Sequence, residues 1–200
     1  MATSKRYAEV AELKSAAGIP DTTDDRRIGA VLDAISRALD DYCGWRFYTT
    51  ADDETRYYPG SEWGDTWFCP DPIISLTTFS TDADGDRTYE DDWETTDYDL
   101  LPYNAALDKK PYTHLETTQN GDYSFPSGNK SIKAVGKFGW PEVPDQIREA
   151  TILCGEKLFK RKDAVFGVMG VTELGIVQQI IKEDPELNML LNSGGVRRVV

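Results

Sequence analysis

The chain has 200 residues, 40% of them hydrophobic, with five Trp, ten Tyr, seven Phe and a formal net charge of -13. This length suits one domain, or one domain carrying an insert, and buries roughly 70% of the unfolded surface without help from disulfides. The acidic balance excludes a clamp on DNA, since such affinity comes from Lys and Arg displacing phosphate counterions. No apolar run approaches the roughly 18 residues of a membrane span, and the N-terminal stretch has no signal-peptide core, so synthesis in the cytoplasm without a membrane partner is expected. The aromatic content marks an ordered globular chain whose low mean hydropathy reflects a charged exterior. Cys43, Cys69 and Cys154 have no CxxC spacing, which argues against a zinc site and a disulfide framework and leaves them as small buried hydrophobes.

A first helix is expected over 7–17, with Tyr7, Val10, Leu13 and Ala17 on one side and Gly18 as C-cap ahead of Pro20. A second spans 24–42, where Ile28, Val31, Leu32, Ile35, Leu39 and Tyr42 form one stripe. Thr22 or Thr23 is its expected cap, Asp24 and Asp25 favour its dipole, and Gly44 ends it. From Trp45 to Trp140 the pattern changes to short β-branched and aromatic segments between Gly, Pro, Asp and Thr clusters, an antiparallel β insert. Strands are expected at 55–58, 66–69, 73–80, 87–90, 98–101 and 131–138. The turns are Pro59-Gly60, Asp84-Gly85, Asn120-Gly121 and Ser127-Gly128.

Helix resumes at Pro144, a residue suited to a first helical position, with Asp145 behind it. Ile147, Thr151, Cys154 and Leu158 make one stripe and Ile152 and Phe159 another, so this helix is expected to be covered on two faces. Lys157, Lys160, Arg161 and Lys162 read as a solvated end that complements the helix dipole. Beyond it, Ile176, Val177, Ile180 and Ile181 form a short apolar pattern, and Leu187, Leu190 and Leu191 after Asp184-Pro185 allow a short helix at best. Residues 194–200, apolar and basic on an acidic protein, are expected to be loose in the monomer and suited to docking. The fold class is α+β, with a small helical bundle from the two flanks (1–44 and 141–163), an antiparallel β insert (45–140) and a C-terminal docking segment (164–200).

Catalytic chemistry finds little support. His114 is the one histidine, it has no Ser or Cys nucleophile motif beside it, and a structural or surface role fits it. GxGxxG, GxxxxGK[ST] and HExxH are all missing. Asp82-Ala83-Asp84-Gly85-Asp86 resembles a calcium loop, but an EF-hand counted from Asp82 puts Arg87 at the glycine position and Trp93 at the bidentate glutamate. An Asp-Gly hairpin turn explains the same residues. Asp91, Asp92, Glu94, Asp97 and Asp99 read as a solvated acidic face rather than a glycosidase pair. Tyr57, Tyr58, Trp63, Trp67 and Phe68 keep a carbohydrate-binding or adhesion module open, although a β core or a subunit contact accounts for most of them. No catalytic, cofactor-binding or metal-ligating residue is assigned, and no cofactor is expected.

Two stretches carry a resemblance. The second helix leaves through Asp41-Tyr42-Cys43-Gly44-Trp45-Arg46-Phe47, and the third begins in Trp140-Pro141-Glu142-Val143-Pro144-Asp145-Gln146-Ile147-Arg148-Glu149-Ala150. With Tyr7-Ala8-Glu9-Val10-Ala11-Glu12-Leu13-Lys14 at the start, the two flanks resemble the head-tail connector (adaptor) proteins of long-tailed bacteriophages and prophages, in which a helical bundle is interrupted by β structure. The β insert matches only in position and character. The resemblance implies a virion neck protein without catalysis: a ring of about twelve copies below the portal, meeting the portal protein, its neighbours and a stopper or tail-completion protein. DNA would pass through the lumen unbound, since an acidic wall repels its backbone. Repulsion among acidic copies also predicts a monomer in isolation. Portal contact is expected at the C-terminal segment, with Leu187, Leu190 and Leu191 as apolar anchors and Arg197 and Arg198 as charged partners; an ordinary packed helix with a frayed end is the alternative. A tail-completion protein one position further along the particle is a further alternative.

Overall fold

A computed structural model describes residues 5–119, 121–164 and 179–192. The fold is α+β, as the residue patterns predict: helices from both flanks and a six-stranded antiparallel sheet between them. The chain divides into two compact units, Met1–Phe47 with Val143–Val200, and Tyr48–Glu142.

In the helical unit, α1 (Val10–Ala17) starts three residues later than the apolar spacing predicts, behind a capping box in which the Glu12 carboxylate accepts the Glu9 N–H at 2.7 Å. Tyr7 lies outside the helix because it has other partners: its N–H donates to Ser36 Oγ at 3.1 Å and its ring meets Phe47 edge-on at 5.7 Å. Gly18 takes the left-handed conformation that ends α1 (φ 68°). Helix α2 (Asp25–Cys43) buries Ile28, Val31, Leu32, Ile35 and Leu39 along the expected stripe, each contributing about 2 kcal/mol by leaving water. Its cap differs from expectation. Neither threonine caps it; Asp24 is the N-cap and its side chain makes no capping bond, while the Thr23 N–H is held by Asp21 at 3.0 Å.

Helix α3 (Asp145–Ala164) is the centre of this unit, touched by α1, α2 and α4 (Pro185–Asn192). Ile147, Ala150, Thr151, Cys154 and Leu158 are buried, and Ile152 and Phe159 pack on the cluster of Ala8, Leu13, Ile28 and Leu32, so both expected stripes are covered. A Cβ at Gly155 would come within 2.7 Å of Leu13, so the glycine lets α1 approach closely. The helix over Leu187 to Leu191 forms in full. Asp184 accepts the N–H groups of Glu186 at 3.0 Å and Leu187 at 3.2 Å and is salt-bridged to Lys157 on α3, while Tyr42 of α2 donates to Asn188 at 2.8 Å.

In the β unit the strands are β1 (Glu54–Tyr58), β2 (Thr66–Thr81), β3 (Asp91–Asp92), β4 (Tyr98–Leu101), β5 (Tyr112–Thr117) and β6 (Ile132–Phe138). They run β1-β6-β2-β5-β4, with β3 paired to the end of β2. The expected strands at 66–69 and 73–80 are one long β2. Pro70 and Pro72 lie in a break in its register between Phe68 and Ile73, where no ladder N–H is needed. Before the break β2 pairs with β5, and after it chiefly with β6.

The strand expected at 87–90 is absent. Asp82 takes the N–H groups of Gly85 and Arg87, Asp86 takes that of Thr88, and Arg87 has φ 76°, so this stretch is a side-chain-stabilised turn that pairs only at Asp91–Asp92. Strand β5 was not foreseen, because Tyr-Thr-His-Leu-Glu-Thr has one aliphatic residue, Leu115, and that residue is fully buried.

One face of the sheet carries the core. Trp67, Phe79, Tyr98 and Phe138 from strands meet Trp93 and Phe125 from loops, Trp93 stacking on Phe125 at 4.8 Å. The indoles are satisfied, Trp67 donating to Pro59 O at 3.1 Å and Trp93 to Thr81 Oγ1 at 2.9 Å. Where the chain enters and leaves the unit, Thr50 N–H donates to Phe138 O at 3.0 Å and Phe138 N–H to Thr50 Oγ1 at 3.2 Å.

Candidate interaction surfaces

The residues expected to meet a partner are placed as follows. Leu187 and Leu191 are fully buried in the helical unit and Leu190 is half-buried, so two of the three leucines are used in the chain's own core. Met189, on the same helix, is 79% exposed. Arg197 and Arg198 lie outside the described residues, as do Ile176, Val177 and Asn120.

The sheet's second face is open to solvent and carries Tyr57, Trp63 and Phe68 of the five aromatics that the sequence leaves between a sugar-binding face, a core and a subunit contact. Alternation sends Trp67 and Leu115 into the core, and their neighbours therefore point the other way. Phe68 pairs with His114 and His114 with Leu101, one row across three strands; Thr66, Glu116 and Asp99 form the next row. Phe68 stacks on His114 at 5.1 Å, and Trp63, from the loop before β2, meets Phe68 edge-on at 5.9 Å. Trp63 and Phe68 are 64% and 57% exposed, which is uncommon for residues of this size outside a contact. Asp99 and Glu116 stand directly opposite each other, a like-charge pair that costs about 0.2–1 kcal/mol, and Glu62 and Asp65 flank Trp63. None of these four carboxylates has an ion-pair partner among the described residues.

At the other end of the same face the sign reverses. Tyr57 of β1 pairs with Lys133 of β6, and Lys137 follows two pairs of residues further along β6. Lys130 sits over the Tyr57 ring at 4.4 Å, Lys133 at 5.9 Å from the Tyr89 ring, and the two tyrosine rings are 5.5 Å apart. These three lysines likewise have no carboxylate partner among the described residues. Arg87 donates to Asn129 O at 2.6 Å, which holds the turn bearing Asp84 and Asp86 at the border of this corner. Residue by residue, the aromatics split: Tyr58 and Trp67 belong to the core, while Tyr57, Trp63 and Phe68 are on the open face.

The remaining polar clusters have local explanations. Asp82, Asp84 and Asp86 bring carboxylate oxygens within 4.8 Å of one another, but both oxygens of the buried Asp82 already accept backbone N–H groups, at 2.7 and 2.9 Å. His114 Nδ1 meets Thr113 Oγ1 at 3.1 Å and no nucleophile. The three cysteines are buried, and desolvation pushes the thiols of Cys69 and Cys154 up to about 12, so neither is a nucleophile at neutral pH.

No protein-family model matches the chain, and no curated protein matches it in sequence. Solved structures do match its fold. One is a chain from the neck of an empty gene transfer agent (GTA) particle, computed with C6 symmetry: TM-score 0.50, 18% identity, covering 85% of this chain and 87% of that one. Another comes from the virion of a native GTA particle: TM-score 0.50, 15% identity, covering 90% of this chain and 91% of that one. The chain is thus similar in fold, over most of its length, to chains of gene transfer agent particles, one of them from the particle's neck.

Proposed function

We propose that this protein is a structural component of a phage-like virion neck, a head-tail connector that assembles as a ring on the portal and joins the head to the tail. The observation that carries this reading is the fold shared with a neck chain across both the helical flanks and the β unit. The flanking motifs, read from sequence alone, favour the same place in a particle. A sixfold-symmetric neck is compatible with a ring of about twelve copies as well as of six. The role is assembly without catalysis, the net charge of -13 keeps passing DNA from adhering to the wall, and a stopper or tail-completion protein would lie below. With Leu187 and Leu191 buried, portal contact through the C-terminal segment falls to Leu190, Met189 and the arginines Arg197 and Arg198. Mixing the purified chain with its cognate portal and counting subunits by native mass spectrometry tests the proposal; intact portal rings that recruit no copies would refute it. Exposed Trp63 and Phe68 keep one second reading, a carbohydrate-binding module, which glycan-array binding would favour.

A further inference from the structure

We infer that the β unit is the element that joins neighbouring copies, its lysine-tyrosine corner docking on the acidic aromatic strip of the next copy. This rests on the ring reading above and names the surface that would make the ring. The strip offers Trp63, Phe68 and His114 as an apolar platform beside Glu62, Asp65, Asp99 and Glu116. The corner offers Tyr57 and Tyr89 beside Lys130 and Lys133, with Lys137 further along β6 on the same face. Each half has what the other lacks: uncompensated carboxylates next to exposed rings on one side, and uncompensated ammonium groups next to tyrosines on the other.

Three observations favour a second copy as the occupant. First, a chain of net charge -13 repels most of itself, so a local cluster of lysines facing solvent is the place where an acidic copy is attracted. Second, the two halves sit toward opposite edges of the sheet, β1-β6 and β5-β4, so the contact is heterologous: it pairs different patches and propagates from copy to copy, closing as a ring when the rotation allows. Third, Trp63 and Tyr57 are both exposed, and Trp and Tyr are the usual anchors of such contacts. DNA is a poor fit to the acidic strip, and a neutral sugar would leave the Asp99–Glu116 repulsion unrelieved.

The test uses the full chain. Mixed 14N- and 15N-labelled protein is assembled on the cognate portal, because the free chain is expected to be monomeric, and treated with a carbodiimide, which joins a lysine to a carboxylate without a spacer. Isotopically mixed cross-links from Lys130, Lys133 or Lys137 to Glu62, Asp65, Asp99 or Glu116 are expected. In parallel, Asp99→Lys with Glu116→Lys makes one variant and Lys130→Glu with Lys133→Glu another. Each alone should load onto the portal at least tenfold more weakly than wild type, read by sedimentation velocity of the complexes, and an equimolar mixture should recover, which also shows both are folded. Absence of mixed cross-links in wild type, or variants that associate as wild type does, overturns the inference. So does association that maltohexaose or a DNA duplex displaces, since either would mark another occupant. The outcomes separate the two levels: rings on the cognate portal that form equally with both variants sink this surface and keep the ring. A wild-type chain that forms no ring on the portal sinks the ring itself.

Discussion

Replacing Tyr7 with Phe removes one oxygen and two buried bonds. The hydroxyl donates to the Asp40 carboxylate and accepts the Phe47 N–H at 3.0 Å, while the ring contacts with Phe47 and Arg37 survive in the variant. A buried N–H left without a partner costs about 1–3 kcal/mol, and a bond to a charged group is worth about 1.5–3 kcal/mol. With Arg37 still paired to Asp40, the net loss expected at neutral pH is about 3 kcal/mol, or a fall in Tm of roughly 6–12 °C for a chain of this size. Urea denaturation followed by circular dichroism at a helix-sensitive wavelength reads it. The pH dependence is a second check. Burial lifts the Asp40 carboxyl above its ordinary range, and Tyr7 and Arg37 draw it back down. Without the hydroxyl it rises further, so the folded variant holds a proton that the unfolded chain releases, and its stability falls as pH climbs through that interval. The penalty is therefore largest above the folded-state pKa of Asp40 and shrinks in acid. A loss below about 0.5 kcal/mol, or one that is equal across pH, refutes this account of the Tyr7–Asp40 pair.

Leu191→Ala should cost about 2–5 kcal/mol and open α4 to proteolysis, whereas Met189→Ala should leave both unchanged, because only the first is buried. The hydrogen bond from Lys157 holds the Asp184 carboxyl below its ordinary range, so its contribution is present at neutral pH and is lost as pH falls through that lowered value. Amide exchange should therefore show α4 losing protection in acid before α2, and Asp184→Asn should abolish the pH step. Gly136→Ala would place a Cβ 2.0 Å from Ser75 O across the β2–β6 ladder, so a loss above about 2 kcal/mol is expected from near-ultraviolet melting of the aromatic core. Calorimetric titration with millimolar calcium is expected to release no heat at Asp82, whose oxygens are already engaged.

Legibility tracked how much of an element's burial was written in its own residues. Helix α2 could be read almost to the residue because a 3.6-residue stripe and a terminal glycine act locally. Strand β5 could not, since its place is secured by β2 and β4 on either side rather than by its own apolar content. The 87–90 stretch has strand-forming residues, yet aspartates at 82 and 86 capture the backbone N–H groups a ladder would use. The open face was hidden for a related reason: Trp67 and Phe68 look alike in composition, and only the register against Leu115 and His114 decides which enters the core. For Leu187 and Leu191 the sequence leaves docking anchors and a packed helix both open, because their partner, α3, lies far away in sequence.

The pinned ends of the β unit at Thr50 and Phe138 bear on the order of events at the ribosome. Residues 48–142 are made before α3, and at roughly 5–20 residues per second the sheet has about 1–5 s to close between the synthesis of Phe138 and that of Ala164, the end of α3. During that time α1 and α2 wait with Leu13 and Ile28 uncovered, because the helix they pack on has not been made. Closing the sheet then brings the nascent α3 back beside the end of α2's connection, turning a long loop into a short one just when the helical unit needs it.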